Sequence, residues 1–210
     1  EVLQRIIRAY EETCAAVITR YEGYVFQRLG DGIVAFFGYP LAHEGEAERA
    51  IHAGLEIIET LSQLDVPDAG HLAVRIGIAT GLVVVSSAEK GAVGETMNLA
   101  ARLQGIAQPG RVVVSARVRR LAIGAFEYED LGEQSLKGFA QPTHAYRILG
   151  VSAAAAIAGA YVAIWVMSSR SRPVAHRRGS FPQDCMIVAA IRPLRTMSMP
   201  SGRVKTCSRH

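Results

Sequence analysis

The stretch that most restricts how this chain can fold is Tyr24 to Gly38, YVFQRLGDGIVAFFG. Two short apolar runs, Tyr24 to Leu29 and Ile33 to Phe37, are joined through Gly30-Asp31-Gly32. An Asp-Gly pair between β-rich runs is a strong short-range signal for a β-hairpin. The hairpin puts a carboxylate, Asp31, at its tip. Such a group can ligate a hard cation such as Mg²⁺, which takes oxygen ligands from one or two protein carboxylates together with substrate phosphates. Gly-Asp-Gly is also ordinary turn chemistry, because both residue types favour turns for conformational reasons. The surrounding chain has to decide between the two.

Val2 to Tyr21 carries apolar residues at the i, i+3, i+4, i+7 spacing of an amphipathic helix, which Gly23 ends. Tyr39-Pro40 closes the hairpin, and Glu44 to Leu64 is a second amphipathic helix whose acidic first turn suits the helix dipole. Leu72 to Ala79 and Leu82 to Val85, separated by Thr80-Gly81, read as a second hairpin. Gly91 to Gly94 leads into a helix from Glu95 to Ala107, stopped by Gln108-Pro109-Gly110. A strand at Arg111 to Val114, a short helix at Ala116 to Ile123, and strands at Phe126 to Leu131 and Ala145 to Leu149 follow, the last two around a loop holding Leu136-Lys137-Gly138. This order implies an α/β or α+β sandwich, a mixed sheet with helices on one or both faces. Opening on so apolar a helix is unusual, and the expectation is that a preceding strand is missing, leaving a gap with unpaired edges in the sheet.

Charge divides the chain at Gly150. Residues 1–150 hold 14 Lys and Arg against 18 Asp and Glu, a net −4, whereas the last 60 residues hold nine basic residues against the single acid Asp184, a net +8. The basic character belongs to the tail, so nucleic acid is not an expected partner of the domain. No secretory leader is visible and the three cysteines, Cys14, Cys185 and Cys207, are widely spaced, which fits a cytoplasmic protein without a disulfide framework or zinc site. Val151 to Met167 is an uncharged run of 17 residues, at the lower limit for a membrane span. The arginines that follow it would place the preceding domain outside the cell, so membrane insertion is not expected. Residues 151–210 read as a basic, low-order tail, with an unnatural or out-of-frame origin open.

Asn98 and Arg102 stand four apart in NLAAR and share one face of their helix. An amide and a guanidinium held this way can stabilise charge on a transferring phosphoryl group, since arginine offers a rigid fork of donors. A solvated helix face gives the same pattern.

Three features occur in order at domain spacing: the Gly-Asp-Gly hairpin after Tyr-Glu-Gly, the run RIGIATG, and the helix GETMNLAARLQ followed by QPGRVVVS. Together they resemble the catalytic domain of the class III nucleotidyl cyclases, in particular bacterial domains that stand ahead of ATPase and helical-repeat regions, with FGYP, HEGEAERAIHAGL and LKGFAQP adding to the likeness. The resemblance covers Glu1 to about Gly150. It implies a ferredoxin-like cyclase fold and conversion of ATP, or in some members GTP, to the 3′,5′-cyclic nucleotide and pyrophosphate, with adenylate cyclase as the leading activity. Asp31 then looks like the second of the family's two metal aspartates, Asn98 like the residue that orients the ribose, Arg102 like the arginine on the transferring phosphoryl, and Lys137 like the lysine on the terminal phosphates. Two Mg²⁺ or Mn²⁺ ions per site would activate the ribose 3′-hydroxyl and clamp the triphosphate. Family members are homodimers with sites at the interface, so Asp31 of one chain would face Asn98 and Arg102 of the other.

Departures from the family pattern matter as much. Its first metal aspartate lies on a strand before the first helix, and this chain starts after that strand, which would impair turnover. The purine-selecting lysine is here Gln27, and Ser86 to Lys90 is shorter than the usual loop. A noncatalytic module that binds nucleotide or dimerises is the alternative reading.

Overall fold

The computed structural model describes residues 2–29, 32–64, 72–86, 91–155 and 186–193. Helix α1 (Val2–Arg20) leads into the hairpin β1 (Tyr24–Leu29) and β2 (Gly32–Phe37), followed by α2 (Glu46–Gln63). Strands β3 (Val74–Gly81), β4 (Val84–Ser86) and β5 (Gly91–Val93) precede α3 (Glu95–Ile106). The remainder is β6 (Arg111–Ser115), α4 (Ala116–Leu121), β7 (Phe126–Gln134), β8 (Thr143–Val151) and β9 (Met186–Pro193). Seven strands form one mixed sheet in the order β1-β2-β9-β3-β6-β8-β7, with β3 and β6 parallel and the other pairs antiparallel.

Alternation along the strands splits the core between the two sheet faces. Ile33, Ala35, Phe37, Ile76 and Ile78 meet α1, α2 and α4 through Tyr10, Cys14, Ile18, Ile51, Ile57 and Val118. On the opposite face Val34, Phe36, Ala79 and Val113 meet Ala100, Leu103 and Leu136. Fully burying a valine, leucine, isoleucine or phenylalanine side chain stabilises the fold by roughly 1.5–3 kcal/mol. Cys14 is wholly enclosed, and burial pushes its thiol pKa up to about 12 against the lowering effect of its hydrogen bond with Tyr10. At the end of α1 the left-handed residue is Glu22, at φ 58°, while Gly23 is required by packing, because a Cβ there would lie 2.7 Å from the Phe37 ring.

Two expectations are corrected. Thr80-Gly81 is not a turn: β3 runs straight through it, and β4 leaves the sheet to pair with β5 in a separate two-stranded ribbon, Val84 opposite Val93. The reason lies in α3. A Cβ on Gly81 would meet the Thr96 hydroxyl at 2.5 Å, and that hydroxyl donates to the Leu82 carbonyl at 3.0 Å, so the chain after Gly81 is fastened to the start of the helix.

The second correction concerns the gap. β9 fills the slot between β2 and β3, antiparallel to both, with Ile191 opposite Ile33 and Ile76 and Ala189 opposite Ala35 and Ile78. Ala189 and Ile191 are 3% and 2% exposed in the core beneath α1 and α2, and the Tyr10 hydroxyl donates to the Ile191 carbonyl at 3.3 Å. Within the tail, Met186–Pro193 forms this strand. Its eight residues are too short for a periodic signal, and they become a strand only between two preformed edges. Among the described residues no helix is long and apolar enough to cross a membrane; residues 156–167 of the apolar run, and Cys185 and Cys207, lie outside them.

Candidate active site

Helix α3 is the platform of the site. Ala100 and Leu103 are buried against the sheet, whereas Asn98 and Arg102 are exposed one turn apart. The helix lies so close to β3 that a Cβ on Gly77 would stand 2.2 Å from both the Ala100 carbonyl oxygen and the Gln104 nitrogen. Only glycine permits that approach, which fixes how far Asn98 and Arg102 stand from the sheet.

Arg102 meets the loop between β7 and β8. Its Nε donates to the backbone carbonyl of Lys137 at 2.9 Å. The loop is held by Leu136, 5% exposed in the α3-side core, with Phe139 packed against the same cluster and its N–H bonded to the Leu136 carbonyl at 3.1 Å. Gly138 follows at φ +91°, in the left-handed region that favours glycine. Lys137 is exposed, and among the described residues neither it nor Arg102 belongs to an ion pair. Two basic residues are therefore neighbours, and among the described residues neither has a carboxylate partner. That arrangement suits a polyanion such as a triphosphate, for which arginine supplies directional donors and lysine a mobile point charge.

Gln27 is exposed on β1 at the edge of the sheet. Strict alternation would put Phe26 and Gln27 on opposite faces, but the register shifts between Val25 and Gln27, so Val25 opposes Ala35 and Gln27 opposes Val34. Ala35 belongs to the α1–α2 core and Val34 to the α3 core. The bulge thus turns Gln27 to the same face as Phe26, the face that carries α3. Arg28, one residue on, returns to the α1 side and approaches Glu11 at 3.5 Å.

Asp31 lies outside the described residues. The metal ions that the sequence resemblance implies would be held through Asp31 together with substrate phosphates. Among the described residues no group of three or more His, Cys, Asp or Glu side chains comes together, and the strand filling the slot beside the hairpin, MIVAAIRP, contains no carboxylate. Of the five residues picked from the sequence, the fold puts Arg102 in contact with Lys137, sets Asn98 one turn away, and turns Gln27 to the same sheet face. Positioning by Gly77, Thr96 and Leu136 was not apparent from the sequence, since each acts through a contact distant in the chain.

A sequence model described as the adenylate and guanylate cyclase catalytic domain matches residues 1–150. An uncharacterised protein of Rhizobium meliloti (strain 1021) is 34% identical over 158 residues, 71% of this chain and 15% of that protein. Adenylate cyclase 1 of the same organism is 26% identical over 163 residues, 72% of this chain and 24% of the enzyme. The match therefore spans no more than about a quarter of either relative. The crystal structure of the guanylate cyclase domain of RhGC from Catenaria anguillulae, in complex with GTP, aligns with a TM-score of 0.60 at 22% identity, covering 69% of this chain and 82% of that one. At that identity the shared feature is the fold, the ferredoxin-like arrangement of cyclase domains.

Proposed function

Because the chain belongs to the adenylate and guanylate cyclase catalytic domain family, we propose that it binds a purine nucleoside triphosphate across the exposed face of α3, with cyclisation of ATP to 3′,5′-cyclic AMP as its chemistry. In that reaction the ribose 3′-oxygen attacks the α-phosphorus, the bond from that phosphorus to the bridging oxygen breaks, and pyrophosphate leaves while the hydroxyl proton passes to solvent or base. The observation that supports the reading is the Arg102–Lys137 contact, which makes neighbours of two basic residues that have no acidic partner among the described residues. On this reading Arg102 holds the phosphoryl charge that grows during transfer, Lys137 the terminal phosphates, and Asn98 the ribose. Gln27 faces the base and, by rotating its amide, accepts either adenine or guanine. Two copies would form the active unit, as the family resemblance implies, with Asp31 of one chain brought to Asn98 and Arg102 of the other.

Divalent metal, Mg²⁺ or Mn²⁺, supplies Lewis-acid activation in enzymes of this kind. Asp31, the residue that the resemblance assigns to the metal, would hold it together with the substrate phosphates. The second reading is that the chain binds nucleotide with little or no turnover and acts as a regulatory or dimerising module.

Nucleotide binding and product formation separate the two. The chain is titrated with fluorescent ATP and GTP analogues and assayed for cyclic AMP and cyclic GMP with Mg²⁺ and with Mn²⁺. Saturable binding that Arg102→Ala weakens, with product, supports the cyclase; the same binding without product supports the module; binding indifferent to Arg102→Ala removes the site from both.

A further inference from the structure

The hairpin that carries Lys137 is bent where β7 and β8 fall out of step. Asp130 opposes Tyr146 and Glu133 opposes His144, so Leu131 and Gly132 of β7 face the single residue Ala145 of β8. Two residues against one make a β-bulge, which bends the strand and re-aims the side chains that follow. Gly132 takes the left-handed conformation there, at φ 70°. Before the bulge, Phe126 and Tyr128 pack on the side of α1, α2 and α4; from the bulge onward, Leu131, Leu136 and Phe139 join the cluster of Ala100 and Leu103 on the side of α3. The Leu131 carbonyl accepts from the Gln134 amide at 2.6 Å, which closes the turn toward the loop. One atom ties the bulge together. Asp130 Oδ1 accepts from the Gly132 N–H at 2.7 Å, within β7, and from His144 Nε2 at 2.6 Å, across the ladder.

We propose that Asp130 is a positioning residue: by tying the bulge to His144 it sets the approach of the β7–β8 loop to α3, and with it the place at which the Lys137 carbonyl meets Arg102. The inference rests on the nucleotide reading only for the use made of that contact. His144 is suited to the part, because its ring stacks on Tyr146 at 4.9 Å between centroids and 20° between planes, and the Arg119 guanidinium stands 4.6 Å from the centre of the Tyr146 ring. The tie from Asp130 therefore ends on a packed ladder of aromatic rings and a cation. Asp130 takes part as the carboxylate: the Gly132 N–H, and after it His144, hold its pKa below the usual value. Both side chains of the pair reach solvent, and such a pair contributes little to global stability. Its effect falls on geometry instead, so variants at Asp130 should fold and still displace the loop.

The test uses the full chain and three variants. Asp130→Ala removes both bonds, Asp130→Asn retains an acceptor for the Gly132 N–H, and His144→Phe keeps the stack on Tyr146 while removing the donor. Two quantities are read. Solvent exchange of the Arg102 Nε–H, followed by nitrogen-15 NMR, reports its bond to the Lys137 carbonyl without any nucleotide present. Displacement of a fluorescent ATP analogue by ATP and by adenosine separates the phosphate end of the ligand from the rest. In Asp130→Ala the exchange should quicken several-fold and ATP affinity should fall roughly threefold to tenfold, the worth of one net hydrogen bond, with adenosine unchanged. Asp130→Asn should stay near the parent, and His144→Phe should fall between. If Asp130→Ala does not fold, His144→Phe carries the same comparison. Unchanged Arg102 exchange in the folded variants overturns the proposal, and so does an equal loss of ATP and adenosine. A parent that binds no ATP, with Arg102 exchange still quickened by Asp130→Ala, would leave the positioning role standing and remove the nucleotide reading instead.

Discussion

The guanidinium of Arg102, on α3, donates through Nε to the main-chain carbonyl of Lys137, 35 residues later, at 2.9 Å. The bond uses the lysine's backbone and not its ammonium, so the two residues' contributions can be separated by mutation. Arg102→Ala removes both the charge and the donor that orders the loop. Charge-assisted hydrogen bonds contribute about 1.5–3 kcal/mol, so triphosphate affinity should fall roughly tenfold to a hundredfold. Lys137→Met keeps the carbonyl that positions Arg102 and should cost only a few-fold. Fluorescence titration of both variants checks the order; a larger loss from Lys137→Met would reverse the assigned roles.

Gln27 provides a test of base selection. An amide that donates and accepts meets either purine, so ATP and GTP analogues should bind within a few-fold of each other. Gln27→Lys offers only donors and should separate the two further than the parent does, because a donor-only group favours the purine that presents an acceptor to it. Competition titrations of parent and variant decide the matter. A parent that already discriminates as sharply as the lysine variant would show that the base is read elsewhere.

Two glycines should respond to alanine with opposite sign. At Gly77 the added Cβ meets backbone atoms of α3 at 2.2 Å, which no rotamer change can relieve, and Gly77→Ala should destabilise the fold by about 3 kcal/mol or more. At Gly105, on the same helix, nothing lies within 4 Å of the new Cβ, and Gly105→Ala should stabilise by roughly 0.5–1 kcal/mol through helix propensity. Urea unfolding measures both. Equal effects at the two positions would contradict the close packing of α3 on β3.

Stability should depend on pH through His52. Its ring lies between Tyr21 and Phe126, at centroid distances of 6.2 and 4.8 Å, and burial lowers its pKa against the opposing charge of Glu48. The unfolded chain, with a histidine pKa of about 6.5, takes up the proton at higher pH than the native state does. The unfolding free energy therefore falls as pH drops through that value toward the depressed native one, and levels off below it. His52→Phe should keep the aromatic packing and remove this part of the slope. Urea titrations at intervals from pH 8 to 5 test it; identical slopes in parent and variant would assign the dependence to another group.

Much of the molecule follows from short-range pattern. The helices α1, α2 and α3 fall within a few residues of their periodic apolar stripes, and the β1–β2 hairpin is where Asp-Gly places it. The spacing of Asn98 and Arg102 sufficed to set them on one exposed helix face, and motif order sufficed to name the family. All of these are properties of neighbours along the chain. Features set by distant partners were not legible. Nothing near Lys137 says that its carbonyl will accept from Arg102, because that contact depends on Leu136 being buried across the sheet. The bulge that turns Gln27 toward α3 exists only in register with Val34 and Ala35, and β4 chooses β5 over β3 because Thr96 holds the chain after Gly81. The strand β9 is the extreme case. Its sequence is a few apolar residues inside a basic tail, and it becomes an interior strand of the sheet because β2 and β3 present two hydrogen-bonding edges and the isoleucines Ile33 and Ile76 opposite Ile191. Such an edge comes into being only when the rest of the sheet has formed, so its partner is decided by tertiary structure alone.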